Sequence, residues 1–271
     1  MLDNGADEIL VLWDDIEATS ADDLGNLSEG AAHAQVVNQL AEHLGRPLWT
    51  VPRVYAAEIE NVNHYLEDFF AELQPQHSVL LCGNAIVTSN ISQADLARLS
   101  RTTALKHRTI VWDNFYANDY CPRRLFLGPW TGREAITEYL INPTGMPHTD
   151  QLLLDIAIST HNSHNQHADW IDALKRHGVP AAFQAIAPYF YKPFFGDNII
   201  TGEEQDTDYI EISGELENAI EECLWKWKSA LAREWYPFIF GLKHDLALQQ
   251  RTLPRDRILK TQPAGLRKRL L

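Results

Sequence analysis

Short, continuously apolar runs alternate with segments of helical periodicity along the N-terminal half of the chain. The first run, Ile9–Trp13, passes directly into Asp14 and Asp15, and similar runs occur at Val79–Cys82 and Thr109–Trp112. An unbroken apolar run of this length is typical of a strand that is buried on both faces, as in a parallel sheet. Strands that alternate with helices at this spacing predict an α/β fold.

The pattern predicts five strands, each followed by polar or glycine-rich residues. They are Ile9–Trp13, Leu48–Pro52, Val79–Cys82, Thr109–Trp112 and Leu125–Leu127. The helices predicted between and after them are Glu29–Leu44 (capped by Ser28 and closed by Gly45), Asn63–Leu73, Gln93–Leu105 and Glu134–Ile141. The rest of the chain is predicted to be mostly helical, at Leu152–Thr160, Trp170–Arg176, Glu215–Leu231 and Glu234–Gln249 with a break at Pro237.

Reactive side chains follow the predicted strands at their carboxyl ends. These side chains are Asp14, Asp15, Tyr55, Asn114 and Asp119. Because the carboxyl ends of parallel strands meet at one edge, the pattern suits a β/α-barrel enzyme, although a doubly wound sheet also binds ligands there. By itself, an Asp-Asp pair is more often two solvated loop acids or a helix cap than a catalytic pair.

Composition narrows the possible partners. The formal net charge of −14 and the pI near 5.1 argue against general affinity for nucleic acid or an anionic membrane. The three cysteines are widely spaced, which is typical of a reducing compartment and of a chain without a disulfide framework. Since no stretch resembles a signal peptide or a membrane span, we expect a cytoplasmic location.

One block of sequence is specific enough to indicate a family. Val111–Arg133 closely resembles the family 84 glycoside hydrolases, which comprise the protein O-GlcNAcases and bacterial β-N-acetylglucosaminidases. The resemblance follows the family's order and spacing through further segments: Asp14–Ile16, Ala32–Gln35, Tyr55, Cys82–Gly83 and Asn142–Pro143. It implies a β/α barrel whose catalytic acids are Asp14 and Asp15.

The resemblance also implies hydrolysis with retention, in which the substrate's own acetamide oxygen attacks the anomeric carbon. Asp14 would accept the acetamide N–H, and Asp15 would protonate the leaving oxygen before acting as a base toward water. This differs from glycosidases in which an enzyme carboxylate is the nucleophile. A general acid must keep its proton near neutral pH, so we expect a raised pKa for Asp15. The family chemistry uses no cofactor or metal.

Six further positions match the family's sugar-binding residues. Three aromatic residues would wall the N-acetyl pocket, and three polar residues would contact the acetamide or the sugar. The aromatic residues are Tyr55, Trp112 and Tyr120, and the polar residues are Asn114, Asp119 and Asn142. An apolar wall suits a methyl group, and a tyrosine hydroxyl can reach the acetamide oxygen.

The chain also departs from the family pattern. Family members carry three barrel strands before the double aspartate, so this chain is expected to hold strands four to eight of eight. A five-stranded arc has two exposed edges, which favour a homodimer or a complementing N-terminal half. Leu81–Gly83 stands in place of the family's Trp-Thr-Gly. We expect no acetyltransferase-like domain after the helical region.

The sequence therefore predicts a partial (β/α)8 TIM barrel over residues 1–150 and a helical region over residues 151–271. The expected substrate is a glycoconjugate or glycoprotein bearing N-acetylglucosamine. The alternatives are an inert or sugar-binding barrel fragment and half of a split enzyme. A metal site at His161, His164 and His167 is the weaker interpretation, because the residues between them favour a loop.

Overall fold

The structure, a computed structural model, divides into two compact units. The sheet unit comprises Met1–Asn114 and Gly132–Ile141, and the helical unit comprises Phe115–Thr131 and Asn142–Leu271. Within them the structure describes residues 5–14, 16–18, 26–59, 62–88, 90–92, 94–95, 107–119, 125–134, 136–161, 163–191 and 213–249. The predicted helix Gln93–Leu105 falls mostly outside these ranges.

The sheet unit contains a five-stranded parallel sheet in which the strands follow chain order. The strands are β1 (Leu10–Leu12), β2 (Trp49–Val51), β3 (Ser78–Leu81), β4 (Arg108–Asp113) and β5 (Tyr139–Ile141). Every neighbouring pair is parallel, so all five carboxyl ends lie along one edge. This arrangement confirms the predicted α/β fold with a parallel sheet.

Two helices cover one face of this sheet, α1 (Glu29–Leu44) and α2 (Val62–Glu72). As predicted, Ser28 caps α1 by accepting a hydrogen bond from Ala31 N at 3.3 Å. Gly45 ends the helix in the left-handed region, with φ of 67°. The apolar stripes of both helices pack on a core that includes these residues of the sheet: Val11, Val79 and Leu81.

The opposite face of the sheet carries a smaller apolar cluster. Val51, Leu80 and Ile110 are buried in it, with Trp49 and Trp112 packed against them. Leu10 pairs with Trp49 of β2, and Leu12 pairs with Val51. Paired residues share a face, so Leu10 and Leu12 also lie on the face of this smaller cluster. Yet Leu10 is 38% exposed and Leu12 is 52% exposed. Strands of a parallel sheet are normally covered on both faces, so this end of the sheet is uncovered within the described chain.

Two predictions in the region after β4 are wrong. Leu125–Leu127 is not a strand but a buried loop of the helical unit. Its backbone forms hydrogen bonds with the helical unit instead of with a neighbouring strand. Leu127 N donates to Phe190 O at 2.7 Å, and Trp170 Nε1 donates to Leu127 O at 2.6 Å. Glu134–Ile141 is not a helix; its last three residues form β5, where they pair with β4.

The described helices of the helical unit differ from the predicted ones in their bounds and in where the chain breaks between them. They are α3 (Pro147–Thr160), α4 (Gln166–Arg176), the short α5 (Phe183–Ile186) with the 3-10 turn Ala187–Phe190, α6 (Gly214–Glu221), the π-helix Glu222–Lys226 and α7 (Ala230–Gln249). The predicted break at Pro237 is wrong, since α7 continues through it and the chain breaks instead after the π-helix. No helix in the described ranges is both long and apolar enough to cross a membrane.

Candidate active site

Asp14 lies just beyond the carboxyl end of β1. Pairing with β2 continues past that end, since Trp13 N donates to Val51 O at 3.0 Å. The Trp13 ring stacks on His33, with centroids 4.2 Å apart and an interplanar angle of 2°. These contacts hold the backbone that carries Asp14. Asp15, the other predicted catalytic acid, lies outside the described residues.

A buried network lies behind this stack. Tyr65 Oη accepts from the backbone N–H of Arg53 at 3.1 Å and lies 2.7 Å from His33 Nδ1. Burial lowers the pKa of His33 and raises that of Tyr65, so both side chains favour their neutral forms in this contact. Arg53 Nε in turn donates to Glu29 Oε1 at 2.8 Å. The network ties the start of α1 to α2 and to the turn after β2.

The turns that follow β2 and β3 pair with each other at the same edge. Cys82 N donates to Tyr55 O at 2.8 Å, and Ala57 N donates to Gly83 O at 2.9 Å. Gly83 adopts φ of 104°, a conformation that side-chain-bearing residues rarely adopt. The Tyr55 ring lies 6.3 Å from the Trp112 ring between centroids. Two of the three predicted aromatic residues are therefore neighbours.

Asn114 lies directly after β4, with its amide oriented by two neighbours. Its Nδ2 donates to Ile86 O at 2.9 Å and to Cys82 Sγ at 3.3 Å. Burial raises the pKa of the Cys82 thiol well above its usual value, and the charges of Asp113 and Asp14 raise it further. Asp14 and Asn114 thus lie at the carboxyl ends of two strands on the same edge of the sheet.

A fully buried ion pair supports this cluster. Asp113, the last residue of β4, accepts two hydrogen bonds from Arg133 at 2.9 Å each. Their side chains are 1% and 0% exposed, respectively. Arg133 also donates to Thr88 O at 2.5 Å. The guanidinium therefore links the end of β4 to the loop after β3, on either side of Asn114.

Two other predicted residues lie in the helical unit. Asp119 and Asn142 line one pocket of about 510 Å³, together with Asn118 and Phe238. Asn142 directly follows β5, which explains its place at a strand end. Tyr120, the third predicted aromatic residue, lies outside the described residues. The pocket brings together two of the predicted sugar-contacting residues.

The three histidines considered as metal ligands lie on different elements. His161 ends α3, His164 lies in the following turn, and His167 is in the first turn of α4. Within the ranges that the structure describes, no three metal-ligating side chains come together.

Four residues that the sequence does not mark as functional hold the predicted ones in place. They are His33, Cys82, Asp113 and Arg133. A signal for them exists, because each falls within a segment that carries the family resemblance. Their roles cannot be predicted from the sequence, because these roles depend on contacts between turns that are distant along the chain.

The fold and the strand-end cluster define a class of α/β protein whose functional edge is the carboxyl end of a parallel sheet. Over residues 1–186 the chain matches the family profile described as beta-N-acetylglucosaminidase. The chain belongs to this family of glycoside hydrolases.

Curated relatives agree with this assignment. Protein O-GlcNAcase from Mus musculus is 32% identical over 137 residues, which are 48% of this chain and 15% of the mouse protein. Protein O-GlcNAcase from Rattus norvegicus is 31% identical over the same number of residues, with the same coverage. The match thus spans about 15% of the length of these relatives.

A solved structure shows the same fold. CpGH84B superimposes with a TM-score of 0.64 at 20% sequence identity, covering 93% of this chain and 50% of that protein. The superposition extends the likeness in fold over nearly all of the chain.

Proposed function

We propose that this chain is a retaining β-N-acetylglucosaminidase that removes terminal N-acetylglucosamine from a glycoconjugate, such as a serine- or threonine-linked sugar. The observation that carries the proposal is the strand-end cluster. In it, Asp14 follows β1, Asn114 follows β4 and donates to Cys82 Sγ, and the rings of Tyr55 and Trp112 are neighbours, all at the carboxyl-end edge of the sheet. The family assignment supports the same conclusion.

The proposed reaction begins with attack of the substrate's acetamide oxygen on the anomeric carbon. As the glycosidic bond breaks, Asp15 gives its proton to the departing oxygen, and Asp14 accepts the acetamide N–H and stabilises the developing positive charge. Water then attacks the anomeric carbon of the oxazoline and returns a proton to Asp15. The two inversions give net retention, and the acetamide is restored.

The remaining predicted residues would bind the sugar. Tyr55 and Trp112 offer adjacent aromatic rings suited to the acetamide methyl group, and the fixed amide of Asn114 suits the acetamide itself. Asp119 and Asn142 share a pocket of the helical unit, and their roles toward the sugar stay predictions. The role of Tyr120 in the aromatic wall stays a prediction.

We further propose that the five strands are an arc of a β/α barrel, strands four to eight of eight. Their chain-ordered parallel arrangement supports this assignment. The division into a barrel portion at residues 1–150 and a helical portion at 151–271 stays a prediction. A cytoplasmic location is proposed from the widely spaced cysteines, which are typical of a reducing compartment. The described cysteines, Cys82 and Cys223, are both free thiols.

The proposed roles of the two acids are tested by varying the leaving group. An aryl leaving group departs with little need of a proton, whereas a serine alkoxide needs one. Asp15→Asn is therefore expected to lose considerably more activity on a serine-linked substrate than on an aryl glycoside. Asp14→Asn is the matched control, because its role at the acetamide predicts similar losses on both substrates. Equal losses for Asp15→Asn on both substrates would contradict its role as general acid.

A second candidate function follows from the exposed face of β1. Leu10 and Leu12 point to the apolar face of the sheet but are 38% and 52% exposed. Within the described residues, β1 pairs only with β2. An edge of this kind accepts a further parallel strand. On this proposal the chain becomes active when additional strands, from a complementing chain or a second copy, cover the face.

Leu12→Lys tests this candidate without touching the catalytic acids. The substitution is expected to leave the chain folded, because Leu12 is already half exposed, but to weaken association. Sedimentation and glycosidase activity would be followed together, with Leu154→Lys on an exposed face of α3 as the control. A chain that sediments as a monomer, and stays equally active after Leu12→Lys, would rule out the second candidate.

A further inference from the structure

The family profile matches residues 1–186, and a second pocket lies in the part of the chain that follows them. It has a volume of about 600 Å³ and lies where the π-helix Glu222–Lys226 gives way to α7. Pockets that bind small molecules have volumes in this range. A π-turn is rare in helices and frequently marks a functional site. None of the residues assigned above to glycoside hydrolysis lines this pocket.

The wall of this pocket is aromatic. Trp225 is 45% exposed and Tyr236 is 38% exposed, and their ring centroids are 5.8 Å apart. Trp227 also lines the pocket and is only 9% exposed. Its indole Nε1 has no hydrogen-bond acceptor in the described part of the chain. The wall of the pocket therefore consists of two exposed aromatic rings and one buried one.

The pocket also carries two cations that have no ion-pair partner among the described residues. Every described Lys and Arg that precedes Lys226 has an ion-pair partner. Lys228 and Arg233, which line the pocket, have none within the described chain. In a chain with a formal net charge of −14, two unpaired cations beside an aromatic wall favour an anionic ligand.

We propose that this pocket binds a ring compound that carries a phosphate group, namely a nucleoside or sugar phosphate. The charge of a phosphate ester, about −1.5 to −2 at neutral pH, matches the combined charge of Lys228 and Arg233. A base or sugar ring suits Trp225 and Tyr236, since both kinds of ring pack against aromatic faces. Ser229 Oγ accepts from Ala232 N at 2.9 Å and fixes the turn between the two cations.

Calorimetric titration of the full chain tests the proposal with four probes. Uridine monophosphate and glucose phosphate represent the two sources of the ligand, while uridine and inorganic phosphate each lack one half of it. We expect saturable binding of at least one phosphorylated ring compound, on the order of tenfold tighter than uridine or inorganic phosphate. The tighter of the two ring compounds identifies the source.

Variants separate a specific site from general charge attraction. Lys228→Gln with Arg233→Gln is expected to weaken binding on the order of tenfold or more. Trp225→Ala is expected to reduce the advantage of the ring compound over inorganic phosphate. Lys226→Gln is the matched control, because Lys226 is an exposed lysine of the same π-helix that does not line the pocket. Thermal melting of each variant verifies that it folds.

Three results would overturn the proposal. The first is the absence of saturable binding by either ring compound at millimolar concentration. The second is equal weakening by Lys226→Gln and by the double variant, which would indicate general charge attraction. The third is a change of oligomeric state on Trp225→Ala without any ligand binding, measured by sedimentation, which would make this surface a protein interface instead.

Discussion

At the residue scale, the candidate site depends on side chains that hold others in place. Asn114 follows a strand whose last residue, Asp113, is locked by Arg133 with both side chains at most 1% exposed. A buried charge is tolerated because its partner and additional hydrogen bonds replace water. The ion pair is therefore expected to matter more for the shape of the strand-end cluster than for its chemistry.

Arg133→Leu is expected to lower the free energy of unfolding by about 3–5 kcal/mol, because it leaves the Asp113 carboxylate buried without its partner. Urea denaturation measures this change. Arg108→Leu is the matched control: it breaks the exposed ion pair with Glu138 and is expected to change stability little. Similar losses in both variants would show that burial of the Asp113–Arg133 pair has no special role.

Several site residues can be located from the sequence, because a polar residue directly after an apolar run predicts the end of a strand. Asp14, Asn114 and Asn142 each follow a strand of the sheet closely. Their chemical roles stay predictions, since a strand end places a residue without defining what it contacts. The orientation of Asn114 could not be predicted, because Cys82 and Ile86 reach it from a different turn.

At the element scale, the two helices on the sheet pack at a close approach near the start of α1. A Cβ atom on Gly30 would lie 2.2 Å from Tyr65 O and 2.9 Å from Phe69 N, both backbone atoms of α2. Backbone atoms cannot move aside as a flexible side chain can. The spacing between α1 and α2 is therefore set by a residue without a side chain.

Gly30→Ala is expected to destabilise the protein by about 1–3 kcal/mol, because the added methyl group forces the two helices apart. Gly214→Ala is the matched control, since Gly214 opens α6 and a Cβ atom there meets nothing within 4 Å. Thermal unfolding of the two variants gives the comparison. If Gly30→Ala were as stable as Gly214→Ala, the close packing of α1 and α2 would be contradicted.

Elements were predictable where local signals and long-range packing agree. The first helix has a serine cap, an apolar stripe and a closing glycine, and its bounds agree with the prediction. Leu125–Leu127 has the composition of a strand, yet Phe190 and Trp170 bind its backbone. The residues just before Tyr139–Ile141 have the composition of a helix, yet this segment is a strand that pairs with β4. In both cases the partners lie far along the chain, beyond what a local pattern can show.

At the scale of the whole molecule, two buried histidines make stability depend on pH. Burial lowers the pKa of His33 and of His77 from the ordinary value of about 6.5. Between their lowered values and about 6.5, the unfolded chain binds more protons than the folded chain. The free energy of unfolding is therefore expected to rise as the pH increases through this window. It is expected to fall again when the solution is acidified through the same window.

Urea denaturation across this pH range measures the effect. His33→Gln with His77→Gln is expected to flatten the dependence, whatever its own cost in stability. His43→Gln, at an exposed position of α1, is the control and should keep the wild-type slope. A stability that does not change across the window in the wild-type protein would contradict neutral, buried histidines.

The strand-end acids are proposed to hydrolyse a β-linked N-acetylglucosaminide. The most direct measurement is hydrolysis of a fluorogenic methylumbelliferyl β-N-acetylglucosaminide by the purified, folded chain, with Asp14→Asn and Asp15→Asn measured beside it. We expect turnover by the wild-type chain, a sharp fall in Asp14→Asn, and a smaller fall in Asp15→Asn, because the aryl leaving group needs little help from a proton. A folded wild-type chain without turnover, or turnover that survives Asp14→Asn, would contradict this expectation.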